Sequence, residues 1–346
     1  MYKWFALKRI LKGIFTYAII ILVLSALFNT VTDKTMRADI EEQVRAESSR
    51  LKNIQPAALQ RFQEQRRQDL IKLYRLDRPL VERIFFRAWN TLTFNFGKST
   101  IIKSSRGERE VLSIVGEALP RTLILFTTAA LIEIIIGITL GLKKAQKPGG
   151  VMDRTTSIIT MVVYGMPTFW VAMIFIMLFV YQLKIFPSSG MHSVPPPQGI
   201  MYFFDSLWHM ALPLLTLVLI GFWGVAYYVR NIVMGVLQDD YIMAARARGI
   251  PEHSVLFGHT LRTAAPPIMT MSILSLLSSI SGAIIFEGIF SWPGLGNLYW
   301  IAVQQNDIPV LMGDLAITTG IYQVGLIILD LSYGFMDPRI KVGGKA

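Results

Sequence analysis

Residues Tyr241–Ile268, YIMAARARGIPEHSVLFGHTLRTAAPPI, lie between two runs that contain no Asp, Glu, Lys or Arg, Ala211–Val229 and Ile268–Phe286. Crossing a bilayer takes about 20 mostly apolar residues, so both flanks read as spans. The stretch between them is basic and water-loving, with Arg246, Arg248, Glu252, Arg262 and two histidines. A charged connection between two greasy runs makes this an all-α membrane protein.

Four further runs follow the same pattern. Thr155–Leu183 is uncharged and Ile14–Phe28 is shorter but clean. Thr122–Leu142 is broken only by Glu133, and Leu315–Met336 only by Asp330. Six transmembrane helices are therefore expected. The composition agrees: 53% of residues are hydrophobic and 16% charged, against about a quarter charged in soluble domains. The basic n-region Lys3, Lys8, Arg9, Lys12 would suit a signal peptide. No small-residue cleavage site follows it, so the first run is read as a retained anchor.

Lys and Arg in short loops set orientation. The N-terminus carries four, residues 143–154 four, residues 230–262 four and the tail after Pro338 three, whereas 184–208 and 288–313 share only Lys184. Both termini and the opening stretch are thus expected in the cytoplasm. The net charge of +11 is then largely a topology signal, which argues against nucleic acid as a partner. Residues 1–30 form the N-terminus and first span, 31–120 an external region, 121–340 a five-span core with a cytoplasmic loop at 238–267, and 341–346 the tail. In the external region, Ile40, Val44, Leu51 and Ile54 are spaced as one helical face, and Leu59, Phe62, Leu70 and Leu73 as another. A small, mostly helical insert is expected there, either a solvated spacer or a partner-binding element.

With no cysteine, disulfides, Fe–S clusters and thiolate metal sites are excluded. His192, His209, His253 and His259 fall outside the six runs and lack metal-ligand spacing. No catalytic or metal residue is assigned.

Local chemistry divides the opening stretch into two short helices. Asp239 and Asp240 suit an N-terminus, and Arg246 and Arg248 the negative end of a helix spanning residues 241–248. Gly249 suits a C′ position needing positive φ, and Pro251 a following first turn. The second helix is expected to stop at Pro266–Pro267. Ala244 and Ala245 leave the first helix slim, so another surface can approach. Spacing alone leaves open a rigid docking knob or an ordinary interfacial loop.

The residues Asp240, Tyr241, Ala245, Arg246, Ala247, Gly249, Glu252, Val255, Leu256, His259, Leu261, Arg262, Ala264 and Pro267 resemble the Glu-Ala-Ala loop of ABC importer permeases of the dipeptide/oligopeptide/nickel family. Met243 stands where the name of that loop places Glu. YRLDRPL (Tyr74–Leu80), FNFGKS (Phe94–Ser99), ALPRTL (Ala118–Leu123), Gly165-x-Pro167-x-Phe169-Trp170, FPSSG (Phe186–Gly190), FEGIFSWPGLG (Phe286–Gly296) and DPRI (Asp337–Ile340) resemble that family in the same order. Residues 31–70 depart from it.

The resemblance implies a non-catalytic permease subunit of an ATP-driven importer in the plasma (inner) membrane, binding no cofactor itself. It implies a second homologous permease, two cytoplasmic ABC ATPases that use ATP and Mg²⁺, and an external solute-binding protein as partners, within membrane lipid. Asp240, Tyr241, Ala244, Ala245, Arg246, Gly249, Glu252 and His259 become the candidate ATPase-coupling residues. No G-x-x-x-x-G-K-[ST] phosphate loop is present. Glu133, mid-span, lines the pathway or pairs with the partner permease, and the Gly165-x-Pro167 break shapes the pathway or is a simple kink. Glu287 and Asp330, near span ends, are adequately explained by interfacial solvation, and Trp292 reads as an interfacial turn residue. A di- or oligopeptide is the expected solute, with oligosaccharide or nickel-chelate alternatives. A self-sufficient secondary transporter is the competing class, but the inverted repeats expected of one are not visible.

Overall fold

A computed structural model describes residues 2–51 and 55–336. Among these the regular structure is helical, apart from one isolated bridge between Lys98 and Glu110. Thirteen α-helices run in chain order: α1 Tyr2–Arg50, α2 Pro56–Leu73, α3 Leu80–Leu92, α4 Val111–Gln146, α5 Val151–Tyr164, α6 Thr168–Phe175, α7 Ile200–Val236, α8 Asp240–Ala247, α9 Glu252–Ser254, α10 Leu261–Ser278, α11 Ile284–Ile289, α12 Leu295–Gln304 and α13 Ile308–Met336. Five stretches are long and apolar enough to cross a membrane: Trp4–Asn29, Val111–Gln146, Ile200–Val236, Glu252–Ser281 and Ile308–Leu331. A sixth candidate is the bent pair Val151–Val163 and Thr168–Gln182. The six apolar runs thus all have helical counterparts.

The third run is broken at Gly165–Pro167, where a break was expected, because Pro167 has no N–H and takes extended backbone (ψ 129). Several other local expectations change. Pro266 and Pro267 do not stop a helix; α10 runs through both. Prolines inside a membrane helix are tolerated; these two leave the carbonyls of Arg262 and Thr263, four residues back, without their helical N–H donors. The boundaries drawn at 30/31 and 120/121 fall inside α1 and α4. His209 lies within α7, not outside the spans, and is buried there; His253 and His259 likewise fall within the Glu252–Ser281 stretch.

The chain forms two compact units. The first holds Met1–Arg9, Gly116–Trp300 and the chain from Ile321 onward. Leu125, Ala172, Leu212, Phe286, Phe290 and Trp292 build one of its cores. Its α4 and α7 approach closely at Gly137 and Gly141, where an added Cβ would lie 2.4 Å from Val225 Cγ1 and 2.7 Å from the Ala226 carbonyl oxygen. Small residues four apart permit this in membranes.

The second unit holds Ile10–Val115 and Ile301–Gly320. Ile40, Val44, Leu70 and Leu76 form its small core, so two residues of the first expected stripe and one of the second pack inward. Leu51 and Leu73 are exposed, and Ile54 lies outside the described residues. Arg66 pairs with Glu47, and Arg67 bidentately with Glu41 at 2.6 and 2.9 Å, stapling α2 to α1. Asp307 is fully buried and accepts from the Ser99 hydroxyl at 2.5 Å and the Ile101 N–H at 3.2 Å.

Candidate functional site

The Tyr241–Ile268 stretch is tied down at its ends and in its middle. Asp239 occupies the N-cap position of α8 with extended backbone (ψ 143), but its side chain makes no capping bond. At the other end the Gly249 N–H donates to the Arg246 carbonyl at 2.9 Å, and the Ile250 N–H to the Ala245 carbonyl at 3.3 Å. This is a Schellman closure, with Gly249 at φ 77 in the position only glycine fills freely. Pro251 then sits at the N-cap of α9, one place earlier than the first-turn site expected. The chain continues through a π-turn, Val255–Thr260, into α10.

Ile242, Ala245, Val255 and Leu256 are buried in one core with Val229, Val233, Leu237, Ala264 and Ile268. Ala245 is therefore a packing residue, and Ala244 alone of the pair presents a slim outer surface. Arg246 and Glu252 pair bidentately across the turn at 2.5 and 3.1 Å, which holds the Arg246 guanidinium above its usual range. The Tyr241 hydroxyl donates to Thr263 Oγ1 at 2.8 Å, tying α8 to α10. Asp240, Tyr241, Met243, Ala244, Arg248, Gly249, Phe257 and His259 remain exposed. The structure thus brings the eight candidate coupling residues together on one hinged element.

The pathway candidates lie on other elements. Gly165 and Pro167 make the α5–α6 break as C-cap and N-cap. Gly165 has φ −79, so no left-handed backbone requires it. Glu133 is half-buried on α4 with its carboxyl against Gly221 of α7, where a Cβ would fall 2.2 Å from Glu133 Cδ. Its immediate neighbour is thus a glycine of its own chain.

Three sequence readings are corrected here. Glu287 is not an interfacial, solvated group; it is fully buried and accepts from the Thr122 hydroxyl at 3.0 Å and the Asn297 N–H at 3.1 Å. Trp292 is 1% exposed, not interfacial, and its indole N–H donates to the Arg121 carbonyl at 3.0 Å. Asp330 is paired with Arg9 rather than simply solvated. Another buried carboxylate, Asp153, receives Arg230 at 2.7 and 3.0 Å and the Gly149 N–H at 3.0 Å. Adjacent Lys144 is 1% exposed, and its ammonium has no hydrogen-bond partner among the described residues. Sequence reading missed Thr122, Asp153 and the Gly137–Gly141 pair. Only the glycines carried a signal, in GITLG (Gly137–Gly141).

Residues 114–342 match the family described as binding-protein-dependent transport system inner membrane component. This chain belongs to that family. The permease is 32% identical over 275 residues to the oligopeptide transport system permease protein AppB of Bacillus subtilis, covering 80% of this chain and 85% of that protein. It is 33% identical over 288 residues to the dipeptide transport system permease protein DppB of Escherichia coli K12, covering 77% and 82%. It is also 31% identical over 280 residues to the inner membrane ABC transporter permease protein YejB of Escherichia coli O157:H7, covering 79% and 75%. The permease is an inner-membrane ABC importer subunit. The family match begins after the helical insert, within α4.

Proposed function

We propose that this permease forms part of the translocation pathway of an ATP-driven importer for di- and oligopeptides, and that its Tyr241–Ile268 loop docks on a cytoplasmic ATPase. The peptide assignment rests on relatives named oligopeptide and dipeptide transport permeases. The observation that carries the coupling assignment is the set of contacts that ties α8 down. It is anchored in the core through Ile242 and Ala245, closed at Gly249, and tied to α9 and α10 by Arg246–Glu252 and Tyr241–Thr263. Eight helical residues make a lever of about 12 Å. A push on its exposed face is passed to α7 and α10 instead of being dissipated in a loose loop.

In this reading the termini and the loop are cytoplasmic and residues 31–120 external. A second homologous permease completes the pathway, an external binding protein delivers solute, and two ATPases bind ATP and Mg²⁺. Glu133 with the Gly165–Pro167 break lines the pathway or its gate.

Copurification with the ATPases tests the docking. Deleting Ala244–Gly249, or changing exposed Ala244 to Trp, is expected to lose the ATPases while membrane insertion is retained. ATP-driven dipeptide uptake at the wild-type rate by the Ala244→Trp importer would refute the docking role. Uptake by this chain alone in liposomes would refute the importer reading.

A further inference from the structure

Helix α3 is built inside out for a helix in water. Its arginines face inward: Arg87 donates to Asn29 Oδ1 at 2.6 Å and to Asp33 Oδ1 at 2.8 Å, and Arg83 also pairs with Asp33. Its large apolar side chains face outward, with Val81 61%, Phe85 58% and Trp89 65% exposed. Residues four apart on a helix share one face, so these three form a stripe. A contiguous exposed apolar patch of this kind marks an interaction surface.

The same ion pairs fix the depth of that surface. The apolar span of α1 ends at Asn29, and Asp33 lies one turn beyond, about 6 Å along the axis. Clamped to both residues, α3 sits where the first span leaves the hydrocarbon. The span itself also presents exposed apolar side chains, including Ile19, Val23 and Leu27, as a helix in contact with lipid does. Phe and Trp at that level suit the boundary between headgroups and acyl chains.

We propose that α3 is an interfacial helix whose Val81–Phe85–Trp89 stripe is immersed in lipid, in the leaflet at the C-terminal end of the first span. The occupant is phospholipid, and the helix holds the insert against the membrane through Asp33.

The chain has no cysteine, so each introduced cysteine is the single labelling site on this subunit, and the unsubstituted importer labelled in parallel gives the background of the other subunits. Nitroxides are attached to Val81→Cys, Phe85→Cys and Trp89→Cys in the importer with its copurified subunits, in phospholipid nanodiscs. Exposed Arg61→Cys on α2 serves as the aqueous reference and Val23→Cys as the reference within the span. Collision rates with oxygen and with a water-soluble nickel chelate are read by electron paramagnetic resonance. The oxygen-to-nickel ratio at the three α3 sites is expected to lie several-fold above Arg61 and below Val23. A ratio equal to that at Arg61 would mean the stripe faces water and overturns the proposal. Immobilised labels shielded from both reagents would mean a protein covers it, which overturns it equally.

Discussion

Glu287 and Thr122, 165 residues apart in sequence, meet in the interior through a hydrogen bond of 3.0 Å. The Thr122 hydroxyl donates to the carboxylate and accepts the Leu295 N–H at 2.7 Å. One buried acid thereby holds the α11–α12 turn against α4. Burial pushes the Glu287 carboxyl up to about 7, overcoming the lowering by the N–H groups of Asn297, Gly296 and Ala283 and by the Thr122 hydroxyl. The folded state therefore holds its proton more tightly than the unfolded chain. The associated stability is complete below the ordinary glutamate value and is lost as pH rises through about 7. The solubilised permease is expected to melt at a lower temperature at pH 8 than at pH 5.5, with a flatter profile in Glu287→Gln. Identical pH profiles for the two proteins would defeat this account. Glu287→Ala, which strands the Asn297 N–H and opens a cavity, is expected to cost about 3 kcal/mol.

Gly249 stands at φ 77 with nothing within 4 Å of an added Cβ, so a substitution there is felt by the backbone alone. Gly249→Ala is expected to cost about 1 kcal/mol, and Gly249→Asn less, since asparagine visits that region more readily. Melting temperatures decide the matter: equal shifts for the two variants would show that the turn is not the cause.

Along α4, Gly141 faces the Ala226 carbonyl oxygen at 2.7 Å from a built Cβ, whereas Gly224 on α7 has open space. Gly141→Ala is expected to destabilise by about 1–3 kcal/mol through overpacking. Gly224→Ala should be neutral or stabilising, because alanine is the better helix former. The comparison fails if both substitutions shift unfolding alike.

Asp153 is the carboxylate shared by Arg230 and, less directly, by Lys144. Removing it as Asp153→Ala leaves buried Lys144 and half-buried Arg230 without their carboxylate, an effect of about 3 kcal/mol. Lys144→Met removes a buried ammonium with no hydrogen-bond partner among the described residues and is expected to raise the melting temperature or leave it unchanged. A large loss of stability in Lys144→Met would show that the ammonium has a partner in the assembled importer.

Sequence alone determined what depends on neighbours along the chain. Six apolar runs announced six membrane-crossing segments, because hydrocarbon tolerates only backbone bonded within the segment itself. Gly249 announced its turn because positive φ is a single-residue property. The loop could be recognised for the same reason, since its motif is contiguous. Tertiary structure alone decided which groups leave water. Glu287 and Trp292 looked like surface residues near span ends and are buried, because elements far away in sequence close over them. Ala244 and Ala245 were indistinguishable until the core took one and left the other outside. On α3, Arg83 and Arg87 turned inward only because Asp33 of α1 was there to receive them. Burial and charge pairing are set by chain segments that meet only on folding, which no local pattern of residues contains.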